Sequence, residues 1–261
     1  MTRKSWIIFS VIVVALIGGL VFASLKNQVD VSDISQDVLT GKGDAQSTII
    51  QAQTRNGEIG DHVFGNKNAK LVLVEYGDFQ CPGCGAAFPV LKALSEKYKD
   101  QIAFVFRNYP LVTLHPNALA AATAAETAGQ MGKYWEMHDL LYQNQNSWNT
   151  LSASNRTDMF VSYAEQLGLK GSEFRSKYGN DQVNAKISFD RALGSKVGVS
   201  GTPTIYLGGQ YINQQVTADG TKLVTTYDSN LSYVWSNQEA MDKLIVQPAL
   251  KARNIALPQD Q

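Results

Sequence analysis

Tyr76-Gly77-Asp78-Phe79-Gln80-Cys81-Pro82-Gly83-Cys84 follows an apolar run, Leu71-Val72-Leu73-Val74, and leads into a helical pattern of Phe88, Leu91, Leu94 and Tyr98. A short continuous apolar run reads as a buried strand. Pro82 suits the first position of a helix, where its missing N–H costs nothing. Cys81 therefore falls where a strand gives way to a helix. A thiol there meets unpaired first-turn N–H groups and the positive end of the helix dipole, and both favour the thiolate. A free cysteine has a pKa of about 8.5, and such sites bring it to ~3.5–7.5. This reading makes Cys81 the exposed, reactive sulfur. It makes Cys84, one turn further in, the shielded partner that resolves a mixed disulfide.

These are the only two cysteines in the chain. A zinc site needs four ligands, and His62, His115 and His138 have no metal-ligand spacing, so no metal is expected. A structural disulfide would close a very small loop and remove little entropy from the unfolded chain. A redox fold kept only for binding is the third alternative. With 44% hydrophobic residues the chain has ample core material. Lys+Arg and Asp+Glu are equal at 23 each, so nothing points to nucleic acid.

Arg3 and Lys4 precede an uncharged apolar run from Trp6 to Leu25, closed by Lys26. The run has about the ~20 residues a membrane-spanning helix needs. Residues 1–5 are then cytoplasmic, 6–25 a transmembrane signal-anchor, and the rest lies outside. A cleaved signal peptide ending near Val21-Phe22-Ala23 is the alternative. Either places the cysteines where disulfides persist. The polar stretch 26–57 reads as a linker, a tether with room for a short helical piece.

Glu75 interrupts the apolar strand. It is either an outward-facing acid at a sheet edge or a buried carboxylate beneath the cysteines, placed to shuttle a proton for Cys84. Gln101 to Arg107 alternates as a second strand, which with the intervening helix gives a parallel βαβ pair. Helical periodicity dominates from His115 to Lys196, with aromatic stripes that read as packing between helices. His115-Pro116 reads as a helix start and His138 as a core or surface histidine. Gly201-Thr202-Pro203-Thr204 opens a further strand and suits a cis proline. Gly208-Gly209 reads as a hairpin turn. Ser236-x-x-Glu239 reads as a capping box opening a last helix, which Pro248 interrupts.

The stretch from Val74 to Cys84, with Gly201-Thr202-Pro203-Thr204 far downstream, resembles the DsbA-like branch of the thioredoxin superfamily. His115-Pro116-Asn117-Ala118 and Tyr134-Trp135-Glu136-Met137-His138-Asp139-Leu140-Leu141 resemble that branch's helical segment. The resemblance implies an α/β thioredoxin-like domain over 58–255, a mixed sheet flanked by helices, with 109–196 as an inserted helical domain. It implies a redox-active Cys81–Cys84 disulfide, with Cys81 as nucleophile and Glu75 as the buried acid. Pro203 matches the cis-proline facing the cysteines, and Thr202 the residue whose backbone pairs with substrate. No cofactor is expected. The partners implied are thiols of exported proteins and a membrane redox protein that resets the pair. Between the cysteines stand Pro-Gly, where the best-known oxidases have a histidine second. The function expected is oxidation of exported proteins at the outer side of the cell membrane. The alternatives are a reductase or isomerase, and a non-catalytic peptide-binding module.

Overall fold

The continuous apolar runs become central strands because both of their faces are covered. The structure is a computed structural model that describes residues 29–258, together with Trp6 and Val13. Its strands are β1 (Val63–Gly65), β2 (Leu71–Gly77), β3 (Ile102–Asn108), β4 (Thr204–Leu207) and β5 (Gln210–Tyr211). Among the described residues they form a five-stranded sheet in the order β1-β3-β2-β4-β5. Every residue of β2 and β3 is buried. These two strands run parallel, from Leu71 opposite Ile102 to Gly77 opposite Asn108. β4 lies antiparallel on the other side of β2, with Glu75 opposite Ile205. The result is a thioredoxin-like α/β fold with a mixed sheet.

The expected membrane span at 6–25 lies outside the described residues except at Trp6 and Val13. Among the described residues no helix is long and apolar enough to cross a membrane.

The linker read over 26–57 needs correction from Val31 onward, where the chain joins the compact unit. It forms α1 (Gln36–Thr40) and α2 (Ala45–Thr48), capped by Ser35 and Asp44. The cause lies in distant donors. Tyr76 Oη donates to the Leu39 carbonyl at 2.9 Å, and Arg107 Nη1 donates to Val38 and Leu39 carbonyls at 3.0 and 3.2 Å. Lys196 Nζ donates to the carbonyls of Val31 and Ser32. Leu39 and Ala45 are fully buried.

The crossover helix α3 (Pro82–Lys97) runs on through Pro89 and buries Val90, Leu91 and Leu94. Between β3 and β4 come α4 (Ala118–Gln130), α5 (Tyr134–Gln143), α6 (Gln145–Trp148), α7 (Ala153–Gln166), α8 (Gly171–Lys177) and α9 (Asp181–Val197). They pack through Trp148, Phe160, Phe174 and Ile187, all buried. A buried polar network ties these helices to β3. Arg107 Nη2 bonds Asp61 Oδ2 at 2.8 Å, and Lys186 Nζ bonds Asp190 Oδ1 at 2.7 Å. Asn108 Nδ2 donates to Glu126 and to Asp190, and His62 Nε2 meets Glu126 at 2.8 Å.

Two details of the C-terminus differ from the sequence reading. The helix cap is Asn237, whose side chain accepts from Ala240 N, while Ser236 Oγ is spent on the Tyr233 carbonyl. Pro248 does not interrupt the helix. Residues Met241–Val246 adopt wide π turns, and Pro248 sits where Gln247–Ala252 returns to α geometry. A proline lacks the N–H that α pairing would demand, and a π segment lets the ladder shift there.

Candidate active site

Cys81 is the N-cap of α3, with Pro82 directly after it, as the strand–helix reading requires. Both cysteines are free thiols. They differ in every physical respect. A hydrogen bond from Cys84, opposed by burial and helped by Thr202 and the N–H groups of Cys84 and Gly83, brings Cys81 from 9.0 down to about 5. Burial, then the bond to Cys81, pushes Cys84 well above its usual range. Cys81 is less open than expected, at 8% exposed, because the Thr202 carbonyl lies 3.2 Å from its sulfur.

Glu75 is not an edge acid. It sits on the central strand between Phe106 and Ile205, almost wholly buried. Burial, and then the charge on Cys81, raises it from 4.5 to about 8. Its charge in turn helps to hold Cys84 protonated.

The Thr202–Pro203 peptide bond is cis, and Pro203 faces the cysteines. A Cβ built on Gly83 would come within 3.2 Å of Pro203 Cδ, a tight contact that a shift of a few tenths of an ångström would relieve, so the proline loop lies directly against the residue between the cysteines. The Thr202 hydroxyl is buried and makes no other hydrogen bond among the described residues, so it is available to the Cys81 thiolate, whose pKa it lowers. The carbonyl expected to serve a substrate strand is instead engaged by the Cys81 thiol. Cys81, Gly83, Thr202 and Pro203 open onto a groove of about 510 Å³, whose far wall includes Tyr211, Tyr233 and Trp235. Tyr211 comes from β5, and the segment 213–236, which sequence patterning does not place, supplies the rest of that wall. Its short strands β6 (Gln215–Val216) and β7 (Leu223–Val224) pair with each other.

Motif reading assigns no role to several residues that build the site. Asp78 is buried. Its carboxylate accepts from Gln80 N and Leu111 N, and His115 Nδ1 lies 2.7 Å away. His115 is thus more than a helix start: it closes the turn that delivers Cys81. Gln145 Nε2 donates to the carbonyls of Phe79 and Cys81, and Gln80 bridges Asn117 N and the Asn149 carbonyl. These amides clamp the cysteine loop to the inserted helices. Their partners lie 37 to 69 residues away, so no local spacing announces them.

The two thiols should alkylate with different pH profiles. Thiolate nucleophilicity falls as pKa falls, with a slope of about 0.4–0.5. Near neutral pH that loss offsets only part of the larger thiolate fraction of Cys81, because Cys84 is raised well above its usual range, and the burial of Cys84 adds to the selectivity. Iodoacetamide should modify Cys81 at a rate that is flat above pH ~6 and half-maximal near about 5. Cys84 should stay unmodified until the protein unfolds. Mass spectrometry of single-cysteine variants checks this, and equal rates would refute the assigned roles.

The chain is 39% identical over 150 residues to a Na(+)/H(+) antiporter NhaA 1 of Salinispora arenicola. That match covers 58% of this chain and 22% of the antiporter, so the chain spans about a fifth of the length of such relatives. Among solved structures it resembles a thioredoxin-like oxidoreductase from Silicibacter pomeroyi, at 22% identity and a TM-score of 0.53, over 85% of this chain and 99% of the other. It also resembles α-DsbA1 of Wolbachia pipientis, at 21% identity and a TM-score of 0.56, over 74% and 93%. Likenesses this remote speak for the fold. The family model described as Thioredoxin matches residues 58–224, which is more than half of the sequence, and the chain belongs to that family.

Proposed function

We propose that this protein is a membrane-tethered thiol–disulfide oxidoreductase that oxidises cysteine pairs in exported proteins outside the cytoplasm. The observation that carries the reading is the asymmetry of the pair: Cys81 is held near about 5 while Cys84 is driven above its usual range. A stabilised thiolate favours the reduced form, and that makes the disulfide a better oxidant. A substrate thiolate attacks Cys81 of the disulfide, the S–S bond breaks, and Cys84 leaves and takes a proton from Glu75. A second substrate thiolate then attacks the mixed disulfide and releases the Cys81 thiolate. The cysteines end two electrons reduced, and a membrane redox protein resets them. The groove beside Thr202 and Pro203 suits an extended polypeptide, with Thr202 and Pro203 as substrate-binding residues. The uncharged apolar run from Trp6 to Leu25, flanked by Arg3, Lys4 and Lys26, supports the tether.

Equilibration of the full chain with glutathione redox buffers tests the direction. The expected potential lies above about −200 mV, toward the oxidising end of the family range. A value near the thioredoxin figure of about −270 mV would instead favour a reductase. No exchange at all would leave a peptide-binding module.

A further inference from the structure

Glu75 has a second neighbourhood, on the side away from the groove. A cavity of about 30 Å³ is lined by Glu75, Ser95, His138, Asp139 and Lys92, with Phe64, Phe104 and Trp135 among its apolar walls. A single water needs roughly 10–15 Å³ of such space and two or more polar partners. This cavity meets both conditions. Glu75, Ser95 and His138 all line it.

His138 is an odd residue for its place. Its ring is packed among Phe79, Phe88, Phe106, Trp135 and Tyr142, a setting that would suit leucine or phenylalanine. It is 3% exposed. Nδ1 is used by Asp139 at 3.1 Å, while Nε2 is buried with no partner. A buried ring nitrogen left unpaired loses the hydrogen bond it had in water. Asp139 in turn reaches the surface, where Lys92 pairs with it and Glu96 flanks Lys92 at 3.8 Å. The line from Glu75 to solvent therefore passes a cavity, an unpaired imidazole nitrogen, a carboxylate and an ammonium.

We infer that His138 is the proton relay of Glu75: Nε2 receives the proton that Glu75 gives up into the cavity, and Asp139 holds the ring and stabilises the imidazolium while the proton passes to solvent. The relay rests on the exchange reading above and deepens it.

When Cys84 resolves a mixed disulfide, its S–H proton goes to Glu75. The Cys84 thiolate attacks Cys81 Sγ, the Cys81–Cys84 bond forms, and the partner sulfur leaves as a thiolate. Glu75 must then lose that proton, and the site on the groove side is filled by Cys84. In the oxidising direction the same path reloads Glu75 after it protonates Cys84. Burial keeps His138 below its ordinary range, so the ring is neutral between transfers and free to accept. The rings of Tyr134 and Tyr142 also lie beside the His138 ring, and burial holds both hydroxyls protonated well above the usual range. They supply no competing base.

The test uses the full chain carrying a Cys81–glutathione mixed disulfide, and follows glutathione release by Cys84. His138→Leu keeps the ring cluster apolar and filled. Asp139→Asn keeps His138 but removes the charge that stabilises its imidazolium. Each should slow release on the order of 10-fold near neutral pH, a part of the ~10²–10⁴ that proton transfer contributes in general. Formation of the mixed disulfide should change less than about twofold, because that step uses the Cys81 thiolate. Added imidazole should restore release in His138→Ala, whose vacated ring site can admit it, in proportion to its concentration, an effect that mere repacking cannot produce. Folded variants with unaltered release, or slowing in His138→Ala that imidazole does not relieve, would overturn the relay while leaving the exchange activity standing. If His138→Leu does not fold, Asp139→Asn decides, since its side chain is 22% exposed. If the parent chain exchanges no disulfides, the proposed function falls and the relay with it.

Discussion

Glu75→Gln should make the protein more stable and slower. A carboxyl raised from 4.5 to about 8 is one that the fold penalises when charged, through burial first and the Cys81 charge second. The sign follows from linkage. An acid with a raised folded pKa contributes most below its unfolded pKa, and that contribution is lost as pH rises toward the folded value. Each pH unit above ~4.5 therefore costs the parent about 1.4 kcal/mol, which reaches about 3 kcal/mol at pH 7. Glutamine has the same shape and no charge to bury. Urea unfolding of parent and variant should agree near pH 4, diverge through pH 5 to 7, and level off near about 8. A constant difference across that range would mean that the side chain acts by packing alone. The resolving step should fall on the order of 10²-fold, the lower end of what general acid–base transfer supplies. A site that gives up stability for chemistry in this way follows a common trade.

Asp61→Ala should have the opposite effect on stability and no direct effect on the cysteines. Asp61 and Arg107 are both fully buried, with Lys186 Nζ 3.5 Å from the other carboxylate oxygen. Burial alone would raise Asp61, but Arg107 and then Lys186 overcome it and bring the carboxyl from 3.8 to about 2. Removing it leaves Arg107 with only Tyr76 and backbone carbonyls for partners. Breaking a buried pair in this way costs about 3–5 kcal/mol. The pair's contribution is complete above the ordinary carboxylate pKa and is lost as pH falls from 3.8 toward about 2. Thermal melts at pH 7 and pH 3 check both parts, and a loss under about 1 kcal/mol at pH 7 would mean that water takes the place of the carboxylate.

The sequence makes the reacting end legible because its signals are local. A strand, a cysteine and Pro82 sit within a dozen residues, and Thr202-Pro203 announces its own turn. Glu75 is ambiguous in the sequence because alternation along one strand does not reveal whether that strand is central or at an edge; β4 makes it central by pairing from 130 residues downstream. β1 has three residues and no fully buried one, too little for a periodic signal. The polar network around Asp61, Arg107, Lys186 and Glu126 reads as ordinary surface charge until the fold brings 61, 107, 126 and 186 together. His138 sits in an aromatic stripe and reads as packing. Only the unpaired Nε2 and the cavity distinguish it.

The segment wrapped over Tyr76 and Arg107 changes how the protein should be dissected. The family match begins at residue 58, and the chain before it looks dispensable in composition. A fragment cut there would shed the carbonyls of Val38, Leu39 and Thr48, which receive hydrogen bonds from Arg107 and Tyr76. Those donors would face water or one another at the back of the very strand that carries Glu75. Residue 31, not 58, is the boundary at which an isolated domain keeps its own lining.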